Sequence, residues 1–402
     1  MAANVTQFDL AQLPGEFFAD PYPTYARLQQ DTPILALPDG SYFLTRHGDL
    51  QQIYRDSRRF SSDKRLQFAP VFGTTSALFE HHTTSLVFND PPLHTRVRKA
   101  IGNALSHRVV HSLEQDLQHL VQRLLDQLNH ASADVIGDFA AAIPVEIVAN
   151  LLAIPADDRA PLRRWSLGIL GALEVGLDAA ALDHGNRCVS EFLDYLTQLV
   201  AHRRRHLRAT DEDIVARLLR WRDAQAGLLP AQLLHQCIFL LNAGHETTTN
   251  LIGNGIELLL RHPEQLQRLL AEPELIDLAV EEILRVESPN QLGNRTTTSA
   301  VTLHDCELPA GTVLTLCIGA ANRDPRVFTE PDHFDIRRDP NPHLAFAAGI
   351  HTCAGLHVAR LEARVALQMF FQRFPKAELA GVPRRAPRAR FRGFSALRVR
   401  LA

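Results

Sequence analysis

The chain has 402 residues, of which 46% are hydrophobic, and a formal net charge of −3. That is enough apolar material to bury a large core without a partner, in an ordinary globular protein. The apolar stretch 139–154 is broken by Pro144, Glu146 and Asn150, and residues 1–13 carry no basic region ahead of an apolar core, so neither a membrane span nor a signal peptide is expected.

In chain order, the first hundred residues alternate short helices with a hairpin, 34–37 and 41–45, turned by Pro38-Asp39-Gly40. Helical periodicity then dominates, with apolar residues three and four apart over 113–128, 189–206, 230–261 and 275–286. The basic run 203–208 is followed by Asp211, Glu212 and Asp213, as when two helix ends answer their dipoles. It and the run 384–392 read as solvated faces, and no nucleic-acid partner is expected. Strands return at 301–303, 306–308 and 312–318, followed by a long irregular stretch, 320–352, and a helix over 353–374. So long a coil inside a compact domain is usually functional. No Gly/Ser-rich linker divides the chain, so a single domain over 1–402 is expected. Five cysteines without a CxxC pair fit a reducing cytoplasm better than secretion and speak against structural zinc. With no P-loop and no dinucleotide fingerprint, any electrons the chain uses must come from elsewhere.

Two segments carry chemistry. In Phe346-Ala347-Ala348-Gly349-Ile350-His351-Thr352-Cys353-Ala354-Gly355 a cysteine stands where coil becomes helix. Gly349 would let the backbone turn back, and Gly355 would let it lie close to a flat ligand. A sulfur at a helix start is held more easily as thiolate, the form that ligates iron. Taken alone, the commoner fate of such a cysteine is burial as an inert side chain.

The second segment, Leu240-Leu241-Asn242-Ala243-Gly244-His245-Glu246-Thr247-Thr248-Thr249-Asn250, interrupts a helix with a glycine and three threonines. A mid-helix glycine costs about 1 kcal/mol relative to alanine, and a local rule broken there suggests a site. Gly244 would leave a gap for a ligand, and a threonine hydroxyl bonding back to a carbonyl would loosen the ladder. An acid beside a hydroxyl, as Glu246 stands beside Thr247, can relay protons. The bland alternative is an acid paired with a neighbouring helix and threonines that merely pack. His245-Glu246 looks superficially like a zinc-protease helix, but no second histidine follows at the required spacing.

Phe-x-x-Gly-x-x-x-Cys-x-Gly, with Ala359-Arg360 after it, resembles the haem-ligand signature of the cytochrome P450 family, and Ala243-Gly244-x-Glu246-Thr247 resembles its oxygen-binding motif. Glu282 and Arg285 match its Glu-x-x-Arg element, Ala321-Asn322-Arg323-Asp324-Pro325 matches the run beyond it, and the likeness extends from Asp20-Pro21 to the C-terminal strands. The resemblance implies a mainly α fold with a small β region, a triangular prism holding haem between the long distal helix 230–261 and the Cys-ligand helix. It implies haem b with Cys353 as axial ligand to the iron, Phe346 packed beside it, Gly349 and Gly355 shaping the loop, and Ala243 and Gly244 against the cofactor. Glu246 and Thr247 become the catalytic pair. His94, Arg98, Arg295 and His351 become partners of the haem carboxylates.

The implied activity is insertion of one oxygen atom of O2 into a hydrophobic small molecule. NAD(P)H would act only indirectly, through a ferredoxin or flavodoxin docked near Arg96, Lys99 and Arg360 of a cytoplasmic monomer. By family position the pocket would draw on 66–88, 165–177, Asn242, Ala243, 290–292 and 391–394, for a natural-product or terpenoid-like substrate. A peroxide-driven haem enzyme and a non-catalytic haem carrier or gas sensor are the alternatives. Two positions depart from the family pattern. Ala347 stands where many bacterial relatives have glycine, at a cost of roughly 1–2 kcal/mol if the backbone there is left-handed. His333 stands where the third member of the Glu-x-x-Arg element, an arginine, is expected, and would substitute for it in a pH-sensitive contact.

Overall fold

The computed structural model describes residues 8–105, 107–174, 177–211, 213–225 and 229–401; Glu212 and two residues of the segment 165–177, Val175 and Gly176, lie outside the described residues. The chain groups into two compact units, one of Met1–Ser61, Glu114–Ile143 and Thr247–Ala402, the other of Ser62–Leu113 and Pro144–Glu246.

The first unit holds the β structure. The expected hairpin forms as Ile34–Ala36 against Tyr42–Leu44, with Gly40 at φ +80° in the turn. Tyr42–Leu44 pairs in parallel with Val313–Cys317, which pairs antiparallel with Leu292–Thr297, and Phe60–Ser61 closes that edge. Leu44, Leu50, Ile53, Phe60, Leu314 and Leu316 form a core against the sheet, and Ala347 and Ala348 pack on it. The sheet core therefore carries the cysteine loop. The strands Val301–Leu303 and Cys306–Leu308 match their expected limits.

The helices Glu114–Gln127 and Ile276–Val286 fall within a residue of expectation, and Pro230–Arg261 coincides with it. Ala179–Arg205 begins ten residues earlier than the periodicity shows, because Asp178 caps it by accepting the Ala181 N–H at 2.8 Å.

Among the described residues the regular elements of the second unit are all helices. In the first basic run Arg204, Arg205, His206 and Arg208 are exposed, as expected of a solvated face, while Arg203 pairs with Asp211 and Asp213; in the second, Arg385 and Arg392 turn inward to Glu287 at 3.3 and 2.6 Å. Burial pushes the Glu287 carboxyl up, but Arg385, Arg392 and Arg323 outweigh it and hold the group at about 2. No helix among the described residues is long and apolar enough to cross a membrane.

Candidate functional site

The stretch between Ala321 and the last long helix is held by one buried ion pair. Arg285 meets both oxygens of Glu282, at 2.7 and 2.8 Å, with both side chains fully buried. Burial of such a pair is tolerable only when every remaining lone pair and N–H is used. Here they are. Arg285 donates to the carbonyls of Asn322, Pro331 and His333, and Glu282 accepts from the Asp335 N–H and from Asn341, each at 3.1 Å. The third member is Arg338, whose Nε lies 3.1 Å from Glu282 Oε1. The expected imidazole contact is therefore corrected: His333 is exposed and reaches the network only through its backbone oxygen, which does not titrate.

From this anchor the chain enters the cysteine loop. Ala347 lies at φ +54° and Gly349 at φ +70°, so the left-handed backbone on which the cost at Ala347 depended is present. A Cβ at Gly349 would collide with the Tyr54 carbonyl oxygen, so only glycine fits. The double turn brings the Cys353 N–H to the Phe346 carbonyl at 3.0 Å. The following helix is Leu356–Arg373, with Gly355 as its N-cap. Cys353 thus precedes the helix rather than sitting in its first turn, and the dipole acts on it from further away than expected. Its side chain is half-buried, and a Cβ on Gly355 would meet nothing within 4 Å. A single soft sulfur beside an open, side-chain-free backbone suits a planar, iron-bearing ligand.

Beneath the loop lies a cluster that sequence reasoning missed. Arg360 grips Glu281 with two bonds of 2.7 Å and stacks 4.9 Å over the Phe346 ring. His343 Nδ1 accepts the Ala345 N–H, which leaves its Nε2–H to donate to Glu281 at 3.1 Å. Burial pushes the Glu281 carboxyl up, but the His343 and Arg360 hydrogen bonds bring it down to about 2. Arg360 is therefore paired within the protein although its side chain stays 38% exposed, whereas Arg96 and Lys99 are exposed. Arg295 lies within the strand Leu292–Thr297, buried with its guanidinium 5.0 Å from the Tyr54 ring. His351 ends the short turn Gly349–His351 and is half-buried.

The second unit carries His94 and Arg98 one turn apart on the helix Leu93–Ala104, the first buried and the second half-buried. Along the Pro230–Arg261 helix the residues around the motif are mostly buried, yet Ala243 is exposed and Phe239, Gly244 and Thr247 are half-buried. Phe239, Ala243 and Thr247 are four apart and share a face. An open stripe on a buried helix is where a ligand can lie. Gly244 contributes differently from expectation, since a Cβ there would press on Val148 Cγ2 at 3.1 Å; it lets two helices pack closely, and the opening belongs to Ala243 and Thr247. Glu246 is buried. His245 bonds Ser166 at 3.1 Å, and burial pushes its imidazole down to about 4, which suits a neutral structural histidine. Thr248 hydrogen-bonds Glu362 of the Leu356–Arg373 helix, a fully buried carboxyl that burial raises to about 8.

The family model described as "Cytochrome P450" matches residues 177–389, more than half of the chain. The chain is a cytochrome P450. Among the proteins this P450 is similar to are the biotin biosynthesis cytochrome P450 of Bacillus subtilis, 35% identical over 91% of this chain and 92% of the relative, and the vitamin D(3) 25-hydroxylase of Pseudonocardia autotrophica, 37% identical over 91% and 89%. The solved structure of CalO2 matches with a TM-score of 0.92 at 31% identity, covering 99% of both chains. The P450 fold, mainly α with a small β region, follows, and with it an oxidoreductase using haem with an axial cysteine thiolate, O2, and electrons from NAD(P)H by way of redox partners.

Proposed function

We propose that this P450 inserts one oxygen atom of O2 into an apolar, natural-product-sized molecule, with Cys353 as the axial ligand. The observation that carries the reading is the cysteine loop, where two left-handed residues and the Phe346 carbonyl fix a half-exposed sulfur beside an open glycine backbone. When bound, haem b supplies the redox chemistry that activates dioxygen.

The chain's own residues do the rest. Phe346 packs beside the sulfur, Gly349 lets the backbone turn back, and Gly355 keeps a side chain away from the ligand face. His94, Arg98, Arg295 and His351 supply positive charge to the two cofactor carboxylates. Ala243 opens the distal helix to the ligand, and Gly244 lets that helix pack closely against its neighbour. Thr247 presents its hydroxyl there, and Glu246, the preceding residue, hands protons toward it. A peroxide-driven enzyme would have no use for that pair, nor would a haem carrier. We assign electron delivery to a separate ferredoxin or flavodoxin recognised in part through Arg96 and Lys99, and place the enzyme, as a single-domain monomer, in the cytoplasm, in keeping with its free cysteines.

The test is spectroscopic and then kinetic. The reduced carbonyl complex should show the red-shifted band of a thiolate haem, and Cys353→Ala should abolish it; its survival would overturn the ligand assignment. Thr247→Ala should keep the band but lower product formed per NAD(P)H consumed by about tenfold or more. Unchanged coupling would remove Thr247 from the relay.

A further inference from the structure

The second unit contains a group of polar side chains that the proposed chemistry does not use. His81 and His82 stand in the last turn of the helix Ala77–Thr84, while His235, Gln236 and Asn242 lie along the first half of the Pro230–Arg261 helix. All five are at least 95% buried. The ring of His81 lies 5.1 Å from that of His82 and 5.7 Å from that of His235, and His81 Nε2 is 3.4 Å from Asn242 Nδ2. Phe68, Phe72 and Phe88 surround His82.

Each of the five keeps a polar atom with no hydrogen-bond partner in the protein: His81 Nδ1, His82 Nε2, His235 Nδ1, Gln236 Oε1 and Asn242 Oδ1. Buried polar atoms are normally satisfied, and an apolar side chain would fill such space at lower cost. Five in one cluster indicate a partner that is not part of the fold. Among the described residues no three His, Cys, Asp or Glu side chains are placed to hold an ion. Gln236 gives its N–H to the Thr84 carbonyl at 2.9 Å, which leaves its oxygen as an acceptor that needs a donor. Burial lowers the pKa of all three imidazoles, that of His82 to about 3, and the neighbouring charge is the Glu80 carboxylate, 3.5 Å from His235. A carboxylate ligand would find repulsion here and nothing to donate with. A hydroxyl both donates and accepts.

Resting on the monooxygenase reading above, we propose that His81, His82, His235, Gln236 and Asn242 form a subsite for a neutral hydroxyl group of the substrate, so that the preferred substrates are apolar molecules carrying an alcohol rather than an acid. Asn242 lies five residues before Thr247 on the same helix, roughly 7.5 Å along its axis. The anchored hydroxyl therefore sits at some distance from the oxidised carbon.

The experiment uses the haem-loaded enzyme and calorimetric titration with three probes of one chain length: dodecan-1-ol, 1-methoxydodecane, which accepts but cannot donate, and dodecanoate at pH 7.5. The alcohol should bind about tenfold more tightly than either of the others. Equal affinity for the ether, or tighter binding of the acid, overturns the proposal whether or not any variant folds. The double variant His81→Phe/Asn242→Leu should keep the thiolate carbonyl band, lose the preference for the alcohol and bind the ether unchanged. A double variant that retains the alcohol preference also overturns it. Failure of the haem reading would appear instead as a missing carbonyl band in the unsubstituted protein.

Discussion

The cysteine loop and the polar stretch of the long distal helix are built on opposite plans. In the loop nearly every constraint is covalent or backbone-borne: left-handed residues at 347 and 349, a carbonyl holding the Cys353 N–H, and the Glu282/Arg285/Arg338 network behind them. On the helix the backbone is regular and the information lies in side chains, an open stripe at Ala243 and Thr247 and a buried group of imidazoles and amides with atoms to spare. A loop so over-determined suits a ligand that never changes. A regular helix with unsatisfied polar groups suits one that comes and goes. Substitutions in the first region should therefore act on stability and cofactor retention, and those in the second on turnover and ligand choice.

The sharpest way to break this contrast is Glu282→Gln. It leaves Arg285 buried and charged against a neutral amide, a loss of about 3–5 kcal/mol, measurable as a fall in denaturation midpoint and in haem retention; stability near that of the unsubstituted protein would show that the network does not anchor the loop.

Glu362→Gln probes the junction of the two regions, since Glu362 bonds Thr248 beside the catalytic stretch. Its folded pKa, about 8, is raised above the usual carboxylate value of 4.5. The folded state thus keeps a proton that the unfolded chain gives up, and stability falls as pH rises from about 4.5 to about 8. The glutamine variant has no proton to lose, so its denaturation midpoint should draw ahead of the unsubstituted protein across that window, by an amount on the order of a few kcal/mol. A gap that does not change with pH would refute the assignment.

Ala347→Gly should raise stability by roughly 1 kcal/mol at the left-handed position, read as a small upward shift in unfolding midpoint. The smallest effect is expected of His333→Ala, within about 0.5 kcal/mol at any pH from 5 to 8, because only its backbone oxygen is used; a pH-dependent loss would restore the imidazole to the network.

Much of this was legible in the sequence, for identifiable reasons. The limits of the 230–261 helix and of the two strands 301–303 and 306–308 follow from strong local periodicity and punctuation. Cys353, Gly349 and Thr247 stand in motifs whose spacing is their meaning. Arg338 could not be found that way. It reaches Glu282 across 56 residues of chain from a coil, and nothing local distinguishes it from its neighbour Arg337, which pairs with Glu272 instead. The same holds for His81, His82 and His235, whose significance lies in what they fail to touch. The early start of the Ala179–Arg205 helix was hidden because Ala179, Ala180 and Ala181 carry little periodic signal, although Asp178 ahead of them could have marked the cap.

The bidentate pairing of Arg360 with Glu281 bears on electron supply. A guanidinium answered at 2.7 Å by a carboxylate presents a dipole, whose field fades within the roughly 8 Å screening length of physiological salt faster than that of a lone cation. The electron donor proposed above, if acidic, would be steered by Arg96 and Lys99 and scarcely by Arg360. The salt dependence of the first electron transfer should accordingly flatten when either exposed cation is neutralised, while at Arg360 the same change would disturb the packing over Phe346 before it altered any encounter rate.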